Sequence, residues 1–184
     1  MKDLVFNNEM LKTLANMKGK TFKSYERDVF CCDEYCYGII RINLGEFAVD
    51  ITNYNVEVEL MGEKDEISTF VCEEKGLDDK FECSGKSIAY MVDENIKSIE
   101  IITDDIELLE QETRFKVDRA IIITTNFGKY SFYKGWHYGE LIYIDKSNDN
   151  SNDNSNIHSV EDVKRDWSND GQYRVSVERT TIAL

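Results

Sequence analysis

The sequence predicts an α+β fold. It is built mainly on an antiparallel, twisted or barrel-like β-sheet, with an N-terminal helix and a helix near residues 159–168. Three observations carry this reading. Residues 119–143 read as neighbouring strands. An apolar, β-branched run at 120–125 is followed by turn chemistry at Asn126-Phe127-Gly128-Lys129. Tyr130, Phe132 and Lys134 then alternate with Ser131, Tyr133 and Gly135. Short alternating runs joined by turns fill most of the remaining chain, which favours antiparallel pairing over crossover connections. Only two segments carry helical spacing.

The first of these segments begins at Asn7 or Asn8, either of which suits an N-cap. Met10, Leu11, Leu14 and Met17 then fall on one helical face, and Gly19 fits the C′ position. A helix this short is marginal alone, so its apolar stripe must pack on the sheet. Strands are expected at 21–26, 37–43 and 46–53. A turn is expected at Asn53-Tyr54-Asn55, and a further strand at 56–61 in which Val56, Val58 and Leu60 alternate with Glu57, Glu59 and Met61. That alternation puts Glu57 and Glu59 on an exposed face. A polar turn over 62–66 leads into a strand at 67–72, and 73–85 is polar. Separate strands are expected at 86–91 and 96–102, and residues 106–111 read as a strand or one helical turn. The stretch 114–118 alternates into the meander, where Gly128 is able to take a positive φ and a further strand follows at 140–144.

Residues 147–156, SNDNSNDNSN, are too polar to bury and are expected to form a mobile loop. Ser159 then fits an N-cap with Asp162 at N3. Val160, Val163 and Trp167 share one helical face, and Tyr173, Val175 and Val177 alternate in a closing strand. No stretch reads as a domain boundary, so 1–184 is expected to fold as a single β-rich domain.

The chain carries a formal net charge of −14 and contains no proline. The charge is uneven. Residues 57–112 hold 18 acidic and 5 basic groups, a net of −13, whereas 113–184 hold 10 of each. Such a field repels free nucleic acid and steers in a basic protein, with strong salt dependence. The residues expected to supply it are Glu57, Glu59, Glu63, Asp65, Glu66, Glu73, Glu74, Asp78, Asp79, Asp104, Asp105 and Glu107. Trp136 and Tyr138 are expected to anchor the interface if exposed. No run is long enough to span a bilayer and no secretion signal is present, so a cytoplasmic location is expected, with no membrane partner.

Chemistry-bearing motifs are sparse. Cys31, Cys32, Cys36, Cys72 and Cys83 lack the paired spacing of a zinc site and are expected as free thiols, most of them buried. His137, beside Glu140 in a Gly- and aromatic-rich segment, is the one candidate base, with the carboxylate orienting it. Asp166, Ser168 and Asp170 begin a calcium-loop pattern with Gly171 at position six, but Val177 stands where the bidentate acid belongs. The loop at 145–156 lacks the central glycine. No cofactor is expected. These observations favour a non-enzymatic, acidic protein-binding module. Its sharpest form is an inhibitor of a nucleic-acid-binding protein, such as an anti-CRISPR or anti-restriction factor. An immunity-type or scaffolding protein that binds a basic toxin, and a hydrolase-like enzyme centred on His137, are the alternatives.

Overall fold

The computed structural model of the chain describes residues 2–29, 34–60, 62–135, 139–148, 157–168, 171 and 173–184. Its organising element is one long strand. The segments expected as three separate pieces between 86 and 111 form a continuous strand, Ser87–Leu108, ended by a 3-10 turn at Leu109–Gln111. In chain order the elements are β1 (Lys2–Leu4), α1 (Asn8–Asn16), β2 (Thr21–Asp28), β3 (Tyr35–Tyr37), β4 (Ile39–Asn43), β5 (Ala48–Leu60) and β6 (Glu63–Lys75). Then come β7 (Ser87–Leu108), β8 (Thr113–Thr125), β9 (Lys129–Tyr133), β10 (Leu141–Ser147), α2 (Val160–Trp167) and β11 (Val175–Ala183).

The strands pair in the order β3-β10-β9-β8-β7-β2-β4-β5-β6, with β1 added to β8 and β11 to β7. Every pairing is antiparallel except the short β1–β8 contact. The sheet is twisted and does not close. β7 joins its two halves because its first part pairs with β2 and its second part with β8 and β11. At the far side Gly38, with φ +76°, turns β3 into β4. Register slips punctuate β7. Opposite Ile102 and Thr103, the β8 partners jump from Ala120 to Asp118, so Arg119 is an extra, bulged residue.

Two larger bodies of apolar side chains hold this arrangement, with a third, small cluster of Ile102, Ala120, Ile122 and Ile157. The larger core gathers Phe22, Ile40, Ile51, Ile99, Ile101, Ile121, Ile123, Tyr130 and Phe132, and α1 adds Leu14 and its C-cap Met17. The second lies beneath α2. Val163 and Trp167 pack on Ile106, Leu108, Phe115 and Val117, together with Val58, Leu60 and Ile67. Both helices start as expected. The Asn7 side chain accepts from the Glu9 and Met10 amides, and Ser159 forms a reciprocal capping box with Asp162. Gly19, at φ +80°, falls one place beyond the expected C′ position, since Met17 is the C-cap.

Three expectations are corrected. Asn53-Tyr54-Asn55 is no turn. β5 runs straight through it, and the buried Asn53 side chain donates to the Gly139 and Leu141 carbonyls. The turn expected at 62–66 is shorter, because Glu63 already pairs with Leu60 and belongs to β6. Gly128 has no positive φ. It is required because a Cβ there would stand 2.2 Å from the Ser147 carbonyl oxygen. The tract 149–156 lies outside the described residues.

Candidate functional site

The distal half of the β5–β6 hairpin concentrates exposed carboxylates. Thirteen consecutive residue pairs join the two strands, and Gly62 takes φ +78° in the two-residue connection. The base of the hairpin contributes Val49, Ile51, Phe70 and Cys72 to the larger core, and its distal half contributes Val58, Leu60 and Ile67 to the second. Strand alternation then fixes the other phase. With Val58 and Leu60 inward, Glu57 and Glu59 point to solvent, as expected. Glu63, Asp65 and Glu66 are exposed on the returning strand.

Residues 57–66 hold five carboxylates and one cation, Lys64, a net of −4. Glu57 stands directly across from Glu66, an arrangement that costs stability between like charges. Lys64 reaches Glu57 at 2.8 Å, with both side chains mostly exposed, so the pair is weak and salt-screened. The hairpin therefore presents a carboxylate surface on a backbone anchored by two cores.

The remaining acidic candidates do not extend this surface. Glu73 and Glu74 sit at the opposite end of β6, opposite Asp50 and Val49, and Glu73 is paired with Lys75 at 2.6 Å. Asp79 caps the loop after β6, accepting from the Gly76 amide at 2.8 Å, and Asp78 is exposed beside it. Asp105 is gripped by both ends of the Arg114 guanidinium at 2.8 Å, which holds its carboxyl below the usual range. Glu107 is half-buried opposite Arg114. Asp104 is a correction. It is fully buried, and Arg179 of β11 binds it through Nε and Nη2 at 2.6 and 2.8 Å, so it cannot meet a partner.

Trp136, Tyr138 and His137 lie outside the described residues. Glu140, expected to orient His137, hydrogen-bonds the Tyr37 side chain. Of the calcium-loop residues, Asp166 faces His158 at 3.7 Å, the Ser168 hydroxyl donates to the Arg165 carbonyl, and Asp170 lies outside the described residues. Among the described residues no group of three or more His, Cys, Asp or Glu side chains is placed to hold a metal ion. Cys36, Cys72 and Cys83 are free thiols, and burial pushes Cys36 and Cys72 up to about 12, which makes them inert. Cys31 and Cys32 lie outside the described residues.

Sequence reasoning missed a buried polar network. Lys134 is fully buried, donates to the Ser68 carbonyl at 2.9 Å and lies over the Phe70 ring. Asp118, also buried, accepts from the Phe6 amide and the Thr103 hydroxyl, both at 2.6 Å. Arg119 donates to the Gly135 carbonyl. A signal was present, because Lys134 falls on the same strand phase as Tyr130 and Phe132. Beside this network a cavity of about 340 Å³ opens between α1 and the sheet, lined by Leu11, Ile101, Asp118 and Ile182 among others. Its principal charged groups already answer one another, Asp105 to Arg114 and Lys116. Comparison with known protein families, curated proteins and solved structures finds no match to this chain.

Proposed function

We propose that the chain is a non-enzymatic protein-binding module that presents the distal half of the β5–β6 hairpin to a basic surface. The carrying observation is the set of exposed carboxylates at Glu57, Glu59, Glu63, Asp65 and Glu66, opposed by Lys64 alone within 57–66. Several carboxylates elsewhere in the middle of the chain are paired with cations from its last third, as Asp104 is with Arg179 and Glu110 with Arg174. A concentrated field on a preorganised ladder steers a Lys/Arg-rich partner and costs little ordering entropy on docking. A natural partner is a nucleic-acid-binding protein whose basic channel the hairpin occupies, the mode of action of an anti-CRISPR or anti-restriction inhibitor.

The test is capture from host extract with wild-type chain and with the triple variant Glu57→Lys, Glu59→Lys, Glu66→Lys, at about 50 and about 300 mM salt. A basic protein held by wild type, lost with the variant, weakened by salt and displaced by double-stranded DNA is the expected result. Displacement failing while the other three hold redirects the reading to a basic toxin. A partner retained equally by the triple variant refutes the hairpin as the binding surface.

A further inference from the structure

We propose that two copies of this chain associate through the open edge of β7 at residues 87–91, forming one continuous antiparallel sheet across a two-fold axis. This goes beyond the hairpin reading and does not depend on it.

The edge follows from the ladder. In an antiparallel strand the N–H and C=O of one residue point to the same side, and successive residues alternate. The Lys86 carbonyl accepts from the Val29 amide at 2.8 Å, and Ile88 and Tyr90 stand opposite Arg27 and Tyr25. Lys86, Ile88 and Tyr90 therefore turn their backbone groups to β2. Ser87, Ala89 and Met91 turn theirs the other way. β8 pairs with β7 only from Ile96 onward, and no described strand takes its place along 87–91. Three N–H and three C=O groups thus line an edge with no partner strand among the described residues, the feature that templates strand addition.

The side chains around that edge point to a protein occupant. The three most exposed large apolar residues described in the chain are Met91 at 77%, Phe127 at 70% and Val29 at 57%. Met91 is on the edge strand. Val29 continues β2 beside Lys86, and Phe127 lies in the turn where β8 leaves β7. Ile88 is 41% exposed on the opposite face from Met91. Apolar side chains accordingly flank both faces of the vacant position.

Charge selects a second copy over an acidic or basic peptide. In a chain of net charge −14, residues 84–92 contain a single charge, Lys86, and no carboxylate. Two like-charged copies can approach along such a stretch, whereas a highly charged peptide finds no counterion on it. Pairing centred on Ala89 uses all six free backbone groups of each copy, with Ala89 opposite Ala89 and Ser87 opposite Met91. On one face the small Ala89 and Ser87 leave room for Met91. On the other, Ile88 meets Tyr90 of the second copy twice, an aromatic–β-branched pairing that sheets favour. Asp93, at φ +56°, lies in the register irregularity of β7 just beyond, which ends the regular alternation and limits the ladder to this length.

The experiment is sedimentation equilibrium of the full chain from about 1 to 500 μM, the range in which a small interface dimerises. The weight-average mass is expected to climb from 21.4 kDa toward twice that value. Added salt is expected to strengthen association by screening the repulsion between copies. Met91→Lys, at an already exposed site, and Ala89→Pro, which removes a hydrogen-bond donor not used within the chain, are each expected to weaken the dimer at least about tenfold. Circular dichroism serves as the check that both variants fold. The register is tested separately. Directly opposed, hydrogen-bonded residues lie about 5.5 Å apart at Cα, within disulfide reach. Ala89→Cys should therefore give a reducible covalent dimer on mild oxidation, above any wild-type background, and Met91→Cys should not. A monomeric mass throughout the concentration range overturns the proposal. So does a dimer untouched by Met91→Lys, or equal cross-linking of the two cysteine variants.

Discussion

Lys134 is expected to make the stability of this fold rise with pH just above neutrality. Its ammonium is fully buried, and desolvation pushes it from 10.5 down to about 7, against the opposing pull of Asp118. In the unfolded chain the same group keeps its proton to about 10.5. Between these values the unfolded state binds more protons, so unfolding free energy increases with pH. The full shift corresponds to a ceiling of about 5 kcal/mol at 1.36 kcal/mol per unit. The usable window is narrower. Cys36 and Cys72 are raised to about 12 by burial, so above pH 9 they keep protons that the unfolded chain releases, and their contribution falls with pH. From pH 7 to 8.5 Lys134 supplies the rising limb among the described residues, on the order of 1–2 kcal/mol because it is half-titrated at the start. Urea unfolding followed by circular dichroism, with ΔG extrapolated at each pH, reads this directly. Lys134→Met keeps the packing volume and removes the proton. The rise should vanish, and Asp118, deprived of its cation, should climb and tilt the curve downward. Adding Asp118→Asn should flatten it. A wild-type curve that is flat or falling over this window, or a Lys134→Met curve parallel to it, refutes the argument.

Three further outcomes follow from particular contacts. Asp50→Ala strips the buried Arg41 guanidinium of a two-pronged carboxylate held at 2.7 and 2.9 Å and should cost about 3–5 kcal/mol in urea unfolding, with Arg41→Met on the same background recovering much of it. Gly128→Ala forces a Cβ onto the Ser147 carbonyl and should cost about 2 kcal/mol or more, whereas Gly62→Ala, with open space but φ +78°, should cost only about 1 kcal/mol by thermal melting. Ser159→Ala opens the capping box of α2 and should cost about 1 kcal/mol, with faster amide exchange confined to the first turn of that helix.

The sheet, both helices and their caps were legible because they rest on local signals: alternation, helical spacing, and an Asn or Ser before an apolar run. The continuity of β7 was not. Asp93-Glu94-Asn95 and Asp104-Asp105 punctuate its sequence like turns, yet most of these side chains find their answer far along the chain. Glu94 takes the Tyr130 hydroxyl, and Asp104 takes Arg179, 75 residues away. Asn53 misled in the same way, since its side chain replaces a turn's local hydrogen bonds with carbonyls some 86 residues on. A charged residue inside a strand is invisible to periodicity when its partner is supplied by topology.

The same principle decides what the acidic charge does. The sequence concentrates a net −13 in residues 57–112, but folding brings Arg114, Arg174 and Arg179 from outside that span onto Asp105, Glu110 and Asp104. The hairpin tip keeps five exposed carboxylates against one lysine. Its cross-strand carboxylates at Glu57 and Glu66 repel one another, and Lys64 is the one cation within 57–66. The β7 edge is the opposite case, a stretch from which carboxylates are missing. The two surfaces must therefore answer salt with opposite signs. Screening weakens a basic partner's hold on the hairpin, and it relieves the repulsion that keeps two copies of the chain apart. One salt series, read for partner binding and for mass, separates them. If both responses run in the same direction, one of the two surfaces has been misassigned.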